Sequence, residues 1–164
     1  MPLYDIEHVT PLTDAQQEAL AKALTAAHAK RFGTPSYFVN VRYTDVSDMK
    51  VYRGGVLRKY NRAILRTRNS EKRSVEMFNE HCMSVIECWE NIVGSEGENG
   101  LRTVWILGAL TTAVEAGFAR PKAGEEHEWL KKNKPAFQKL ADEGDEDFIG
   151  LIHELNTRED FKDI

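Results

Sequence analysis

The sequence predicts an α/β (α+β) fold: two fused β-α-β units form one four-stranded sheet, two helices back one face of it, and a helical extension follows at the C-terminus. Three observations predict it. Residues 3–9 alternate with the period of a strand, and 37–43, 60–68 and 101–107 are runs of strand-forming residues. Between the members of each pair, apolar residues recur at three and four, the spacing of a helix lying on a sheet. The order strand, helix, strand then occurs twice, and a crossover helix is the natural way to join two parallel strands. The expected division of a single domain over 1–164 is a first unit at 1–58, a second at 59–110 and the extension at 111–164.

Each element has a local reason. In the first strand Tyr4, Ile6 and His8 lie on one side and Leu3, Asp5 and Glu7 on the other. Thr13 or Asp14 supplies the cap of a helix over about 14–31, in which Leu20, Ala23, Leu24, Ala27 and His28 share a face until Gly33 and Pro35 stop it. The second strand is 37–43, and Gly54-Gly55 permits a turn between the units. After the third strand, 60–68, Ser70 opens a helix in which Val75, Phe78, Cys82, Val85, Ile86, Trp89, Ile92 and Val93 recur on one side. A polar loop at 95–100 leads into the strand 101–107. A short helical stretch around 113–116, a break at Pro121 and Gly124, a helix over about 125–140 and another near 148–155 complete the chain. Two helices on one sheet face leave the other face needing cover from the tail or from partner subunits.

The composition narrows the function classes. A chain of 164 residues, 41% hydrophobic and 29% charged, is one globular domain with a real core. Its net charge of -4 argues against a general affinity for nucleic acid or for anionic membranes. Neither an export signal nor a run of about eighteen apolar residues is found. Cys82 and Cys88 sit in one predicted helix at a spacing that suits no disulfide, so reduced thiols and a cytoplasmic location are expected.

Four places could carry chemistry. Removal of Met1 would leave Pro2 as a secondary amine at the first residue of a sheet strand, and an α-amino group titrates near ~7.7 to 8.0, where modest changes of environment make it a base or an acid. Between Arg53 and Arg73 the cations Arg53, Arg58, Lys59, Arg62, Arg66, Arg68, Lys72 and Arg73 face Glu71 alone, which suits a small carboxylate. Arg62, Arg66 and Arg68 share a strand parity, and Arg73 falls in the first turn of the next helix; a solvated basic face is the plainer alternative. His28, on the apolar side of the first helix, is either a satisfied core histidine or a group aimed at a cleft. Glu115, alone among small and apolar neighbours, is placed to have a raised pKa or a buried partner, and a carboxylate of that kind can deprotonate water. The remaining histidines have no metal-ligand spacing, so neither a metal nor a cofactor is expected.

The segments Met1-Pro2-Leu3-Tyr4, 21–28 ending in His28, Gly54-Gly55-Val56, Arg73-Ser74, and Val114-Glu115-Ala116-Gly117 running into Pro121 are similar to those of a known family. Over most of 1–135 the chain resembles the tautomerase superfamily and, within it, the cis-3-chloroacrylic acid dehalogenase-like group. The resemblance implies two fused β-α-β units, a homotrimer, Pro2 as the catalytic amine, His28 and Arg73 as ligands of a substrate carboxylate, and Glu115 as the residue that activates water. Two positions depart from the group. Its second arginine is Ser70 here, with Arg68 the nearest substitute, and its tyrosine on the strand before Gly108 has no counterpart among Val104, Trp105 and Ile106. The expected function is acid/base chemistry by Pro2, whether tautomerisation, hydration or hydrolytic dehalogenation, on a small α-keto, enol or α,β-unsaturated carboxylic acid. A binding or signalling module that keeps the fold without useful catalysis is the alternative from another class. A phosphorylated or nucleic-acid ligand on the segment from Arg53 to Arg73 is a third.

Overall fold

The computed structural model describes residues 1–108 and 112–164, and at Glu115 the backbone alone. Strand β1 (Leu3–His8), helix α1 (Asp14–Phe32) and strand β2 (Asn40–Asp45) form the first unit; β5 (Asn61–Arg66), α2 (Val75–Ile92) and β6 (Leu101–Leu107) form the second. The four strands make one sheet in the order β2-β1-β5-β6. Each unit contributes a parallel pair, and the pairs meet antiparallel where β1 lies against β5. Both crossover helices pack on the same face. Tyr4 and Ile6 of β1, Leu20 and Leu24 of α1, Ala63 and Leu65 of β5, and Val85 and Trp89 of α2 bury themselves there together.

The helix ends follow from local chemistry. Thr13 is the cap of α1: its side chain accepts from the Gln16 amide and the Gln16 side chain answers at the Thr13 amide, while Gly33 closes the helix in the left-handed region. Helix α2 starts later than expected. Ser74, not Ser70, caps it, and residues 70–73 form a turn closed from the Arg73 amide to the Ser70 carbonyl at 3.0 Å. The buried line on α2 is His81, Val85 and Trp89, whereas Val75 is 67% exposed.

Two segments, 36–38 and 113–116, depart from the sequence expectation, and the expected turn at Gly54-Gly55 proves to be the tip of a hairpin. Residues 36–38 form a single 3-10 turn instead of the start of a strand, because Phe38 leaves the sheet to enter a second core. The Gly54-Gly55 turn joins a small hairpin, β3 (Val51–Arg53) with β4 (Val56–Arg58), its two glycines both at positive φ. The stretch at 113–116, expected to be helical, is half of another hairpin, β7 (Val114–Glu115) with β8 (Phe118–Ala119). Ala116 at φ 47° and Gly117 at φ 84° reverse the chain there, a backbone no helix can contain.

Helices α3 (Glu126–Asp142) and α4 (Glu146–Thr157) build the second core from Leu130, Phe137, Phe148, Leu151 and Leu155 around Phe38. The Glu154 carboxylate locks the contact by accepting from Ser36 N at 2.8 Å and Ser36 Oγ at 2.9 Å. The tail therefore covers the loop before β2, not the open sheet face. That face is instead occupied by ion pairs: Arg42 and Arg66 on Asp5 at 2.6 and 3.2 Å, and Arg62 on Glu7 with its guanidinium 5.3 Å from the Trp105 ring. Arg62 and Arg66 are thereby engaged in the sheet. Arg68 lies beyond the end of β5 and does not share their surroundings. Among the described residues no helix is long and apolar enough to cross a membrane.

Candidate active site

Pro2 is buried where the chain enters the middle of the sheet, and its carbonyl accepts from the Asn40 amide at 3.0 Å. Two residues on, Tyr4 points to the helical side and is fully buried. Its hydroxyl meets His28 Nδ1 of α1 at 2.8 Å and His81 Nε2 of α2 at 2.5 Å. One phenol thus ties a strand to both helices. Phe32 packs against both imidazoles, and the Arg73 guanidinium lies 4.7 Å from the centre of the same ring.

All three groups of this chain are neutral. Burial raises the Tyr4 hydroxyl well above the phenol range, so it keeps its proton. Burial also holds His28 well below the imidazole range, and His81, Arg73 and the chain's terminal ammonium push it the same way. His81 is brought down to about 4, chiefly by burial. With one hydroxyl proton between two imidazoles, two proton arrangements exist. His81 Nδ1 is buried with no hydrogen-bond partner among the described residues, so it is either a bare acceptor or an unpaired N–H. A buried unpaired donor is the costlier defect, which favours the bare acceptor. In that arrangement His81 Nε2–H donates to the Tyr4 oxygen, Tyr4 donates to His28 Nδ1, and His28 carries its proton on Nε2.

Arg73 is 9% exposed at its side chain, and burial lowers its pKa. Its Nη1 donates to the Arg68 carbonyl at 3.1 Å. Arg68 comes back to the same place: its Nη2 donates to the Glu126 carboxylate at 2.9 Å, and Arg73 Nη2 stands 3.5 Å from the same oxygen. Arg68 also lines a cavity of about 580 Å³ together with Ser70, Lys72, Arg120 and Lys122.

Of the residues singled out from the sequence, the buried chain start, His28 and Arg73 come within electrostatic reach of one another, and Arg68 joins Arg73 through Glu126. Glu115 lies on β7 by its backbone; its side chain falls outside the described residues. Tyr4, His81 and Glu126 were not singled out. The strand parity of Tyr4 and the position of His81 one turn before Val85 were visible signals, but Glu126 had none, being one acid among many at a helix start. Among the described residues no group of three or more His, Cys, Asp or Glu side chains is arranged to hold a metal ion.

The model of the family described as "Putative oxalocrotonate tautomerase enzyme" matches residues 1–134. The chain belongs to this tautomerase family. Among solved structures, one similar fold is N1, a member of the cis-3-chloroacrylic acid dehalogenase family, with a TM-score of 0.67 and 16% identity over 85% of this chain and 99% of that one. The F6 fused 4-OT wild-type asymmetric trimer gives a TM-score of 0.55 and 13% identity over 71% and 94% of the two chains. The macrophage migration inhibitory factor of Toxoplasma gondii gives 0.52 and 19% identity over 72% and 99%. At such identities the likeness is one of fold. No curated protein sequence matches the chain.

Two outcomes follow from the tyrosine and the two histidines. Between pH 6.5 and about 4 the unfolded chain takes up a proton at position 81 that the folded chain refuses, and His28 acts in the same direction. Stability is therefore complete above the ordinary imidazole value and falls as pH drops through this window, by about 3 kcal/mol for His81 alone. Thermal unfolding followed against pH should show this slope, and His81→Gln should flatten it. Nitrogen NMR of the native protein near neutral pH should find the His28 proton on Nε2; a proton on Nδ1 contradicts the arrangement deduced above.

Proposed function

We infer that the protein is an enzyme that uses the Pro2 amine, freed by removal of Met1, for acid/base chemistry on a small α-keto, enol or α,β-unsaturated carboxylic acid. The observation that carries this reading is that the buried chain start, neutral His28 and buried Arg73 lie within electrostatic reach of one another. In tautomerisation, neutral Pro2 takes a proton from substrate carbon or enol oxygen and returns it to the other position, so the amine ends as it began. In hydration, Glu115 takes a proton from water as the water oxygen bonds to one unsaturated carbon and protonated Pro2 gives its proton to the neighbouring carbon; where the first carbon bears a halogen, the halohydrin so formed loses hydrogen halide to leave a carbonyl. Arg73, with Arg68, pairs with the carboxylate, and His28 donates to it from Nε2.

The reading extends to assembly and setting. The fused 4-OT relative is a trimer, and the β6 edge here leaves Trp105 45% and Leu107 42% exposed, which suits burial between copies in a homotrimer. Free Cys82 and Cys88 suit a reducing cytoplasm. A second reading, a binding or signalling module, is favoured by the engagement of His28 Nδ1 with Tyr4 and of Arg73 with Glu126, which leaves each with fewer free donors.

Pro2→Ala, shown by circular dichroism to be folded, should lower kcat on phenylenolpyruvate or on a 3-haloacrylate by about 10²-fold or more. Unchanged rates remove the proline chemistry and leave the binding reading. Sedimentation equilibrium should give three times the chain mass; a monomer contradicts the trimer.

A further inference from the structure

The basic run from Arg53 to Arg73 divides in space. Arg62 and Arg66 pair with acids on the sheet face, and Arg68 and Arg73 meet Glu126. Arg53, Arg58 and Lys59, on and just after the β3–β4 hairpin, line a separate cavity of about 390 Å³ with Arg102 of β6. This cavity lies at the far end of the sheet. Asn61 opens β5 there, whereas Leu3, next to Pro2, pairs with Arg66 at the other end of that strand. Five residues of extended chain set the two ends about 16 Å apart. The arginines of this group are set apart by their lack of partners. Every arginine of the sheet face, as well as Arg68, Arg73, Arg31 and Arg158, lies within ion-pair distance of an acid. Among the described residues Arg53, Arg58 and Arg102 have no such acid, and all three line this one cavity. Its walls are held in place. Fully buried Asn61 donates through Nδ2 to the carbonyls of Glu98 and Asn99 at 2.9 and 3.1 Å, and Trp89 Nε1 donates to the Asn99 carbonyl at 2.7 Å, which pins the loop at 95–100. The Arg53 guanidinium lies 5.7 Å from the centre of the Tyr60 ring, a contact that limits where its head group can go.

We propose that this cavity is a second anion site, distinct from the Pro2 end of the molecule, and that it takes a phosphate dianion, free or carried by a small molecule. The charged residues of the lining are Arg53, Arg58, Lys59 and Arg102 against Glu90 and Glu98, so the cavity wall is positive by two. A phosphate group carries about that charge with the opposite sign near neutral pH. Planar guanidinium forks meet its oxygens two at a time, a match that a lysine ammonium lacks. A monocarboxylate cancels half the excess and offers fewer oxygens. The cavity has the size of a small-ligand pocket, and its pinned loop needs no ordering when a ligand enters. The site goes beyond the acid/base reading and does not depend on Pro2.

Calorimetric titration of the folded protein at low salt with inorganic phosphate, glycerol 3-phosphate and acetate tests this. Both phosphates should bind, with acetate about tenfold weaker or more, and Arg53→Gln and Arg102→Gln should each weaken phosphate about tenfold. The tighter of the two phosphates identifies the source, the free ion or a small ester. Absence of phosphate binding, or acetate bound as tightly, overturns the proposal. So does phosphate binding that both variants leave unchanged, because the ion then sits elsewhere. Tighter binding of a single-stranded oligonucleotide, falling steeply with added salt, would make the cavity part of a nucleic-acid surface and overturn it too. Both substituted side chains are exposed, so circular dichroism and sedimentation of the variants should match the wild type. Subunits separated by the substitutions would assign the arginines to a contact between copies and sink the anion site. Pro2→Ala should titrate like the wild type, so failure of the proline chemistry leaves this measurement standing.

Discussion

The structure depends on keeping polar groups neutral and paired in the layer between sheet and helices. Tyr4 is the hinge of that arrangement, because its hydroxyl serves imidazoles from α1 and α2 at once. Charging either histidine there would place an uncompensated cation among buried rings, with Phe32 packed against both. The Tyr4 hydroxyl also ties His28 to the first strand through Nδ1, at 2.8 Å.

A short distance away the opposite situation holds. Arg73 and Arg68 keep their charge in a buried setting, and the fold answers with Glu126 from the C-terminal extension. The extension thus supplies the acid that meets both arginines as well as a cover for the loop before β2. Its own packing explains how it can be so placed: Phe38 leaves the strand register to join the aromatic core of α3 and α4, and Glu154 clamps Ser36. The C-terminal extension supplies the counter-ion of the arginine pair.

The two halves of the basic run met different fates for a simple reason. Arg62 and Arg66 stand on the sheet face opposite the helices, where β1 offers Glu7 and Asp5 as partners in register. Arg68 is past the last paired residue of β5, so the chain can turn it toward Arg73 and α3. Parity along a strand is a valid guide only while the strand lasts. The hairpin at β7 and β8 makes the same point, since Ala116 at positive φ answers to the turn and not to the helix-forming tendency of alanine.

Period and order were legible in the sequence: the four sheet strands, the two crossover helices, the cap at Thr13 with its stop at Gly33, and the two helices of the tail all follow from interactions within about four residues of each position. The resemblance named Pro2, His28 and Arg73, and the structure brings the chain start and Arg73 near enough to bear on the charge of His28. Partnership was not legible. That Tyr4 would join His28 to His81, and that Glu126 among so many acids would meet Arg68 and Arg73, are contacts between residues 24 to 77 positions apart, and the aromatic core that draws Phe38 from its strand lies farther along the chain still. Local pattern sets which face a side chain takes, whereas its partner is set by how whole layers close over one another, and only the tertiary structure decides that.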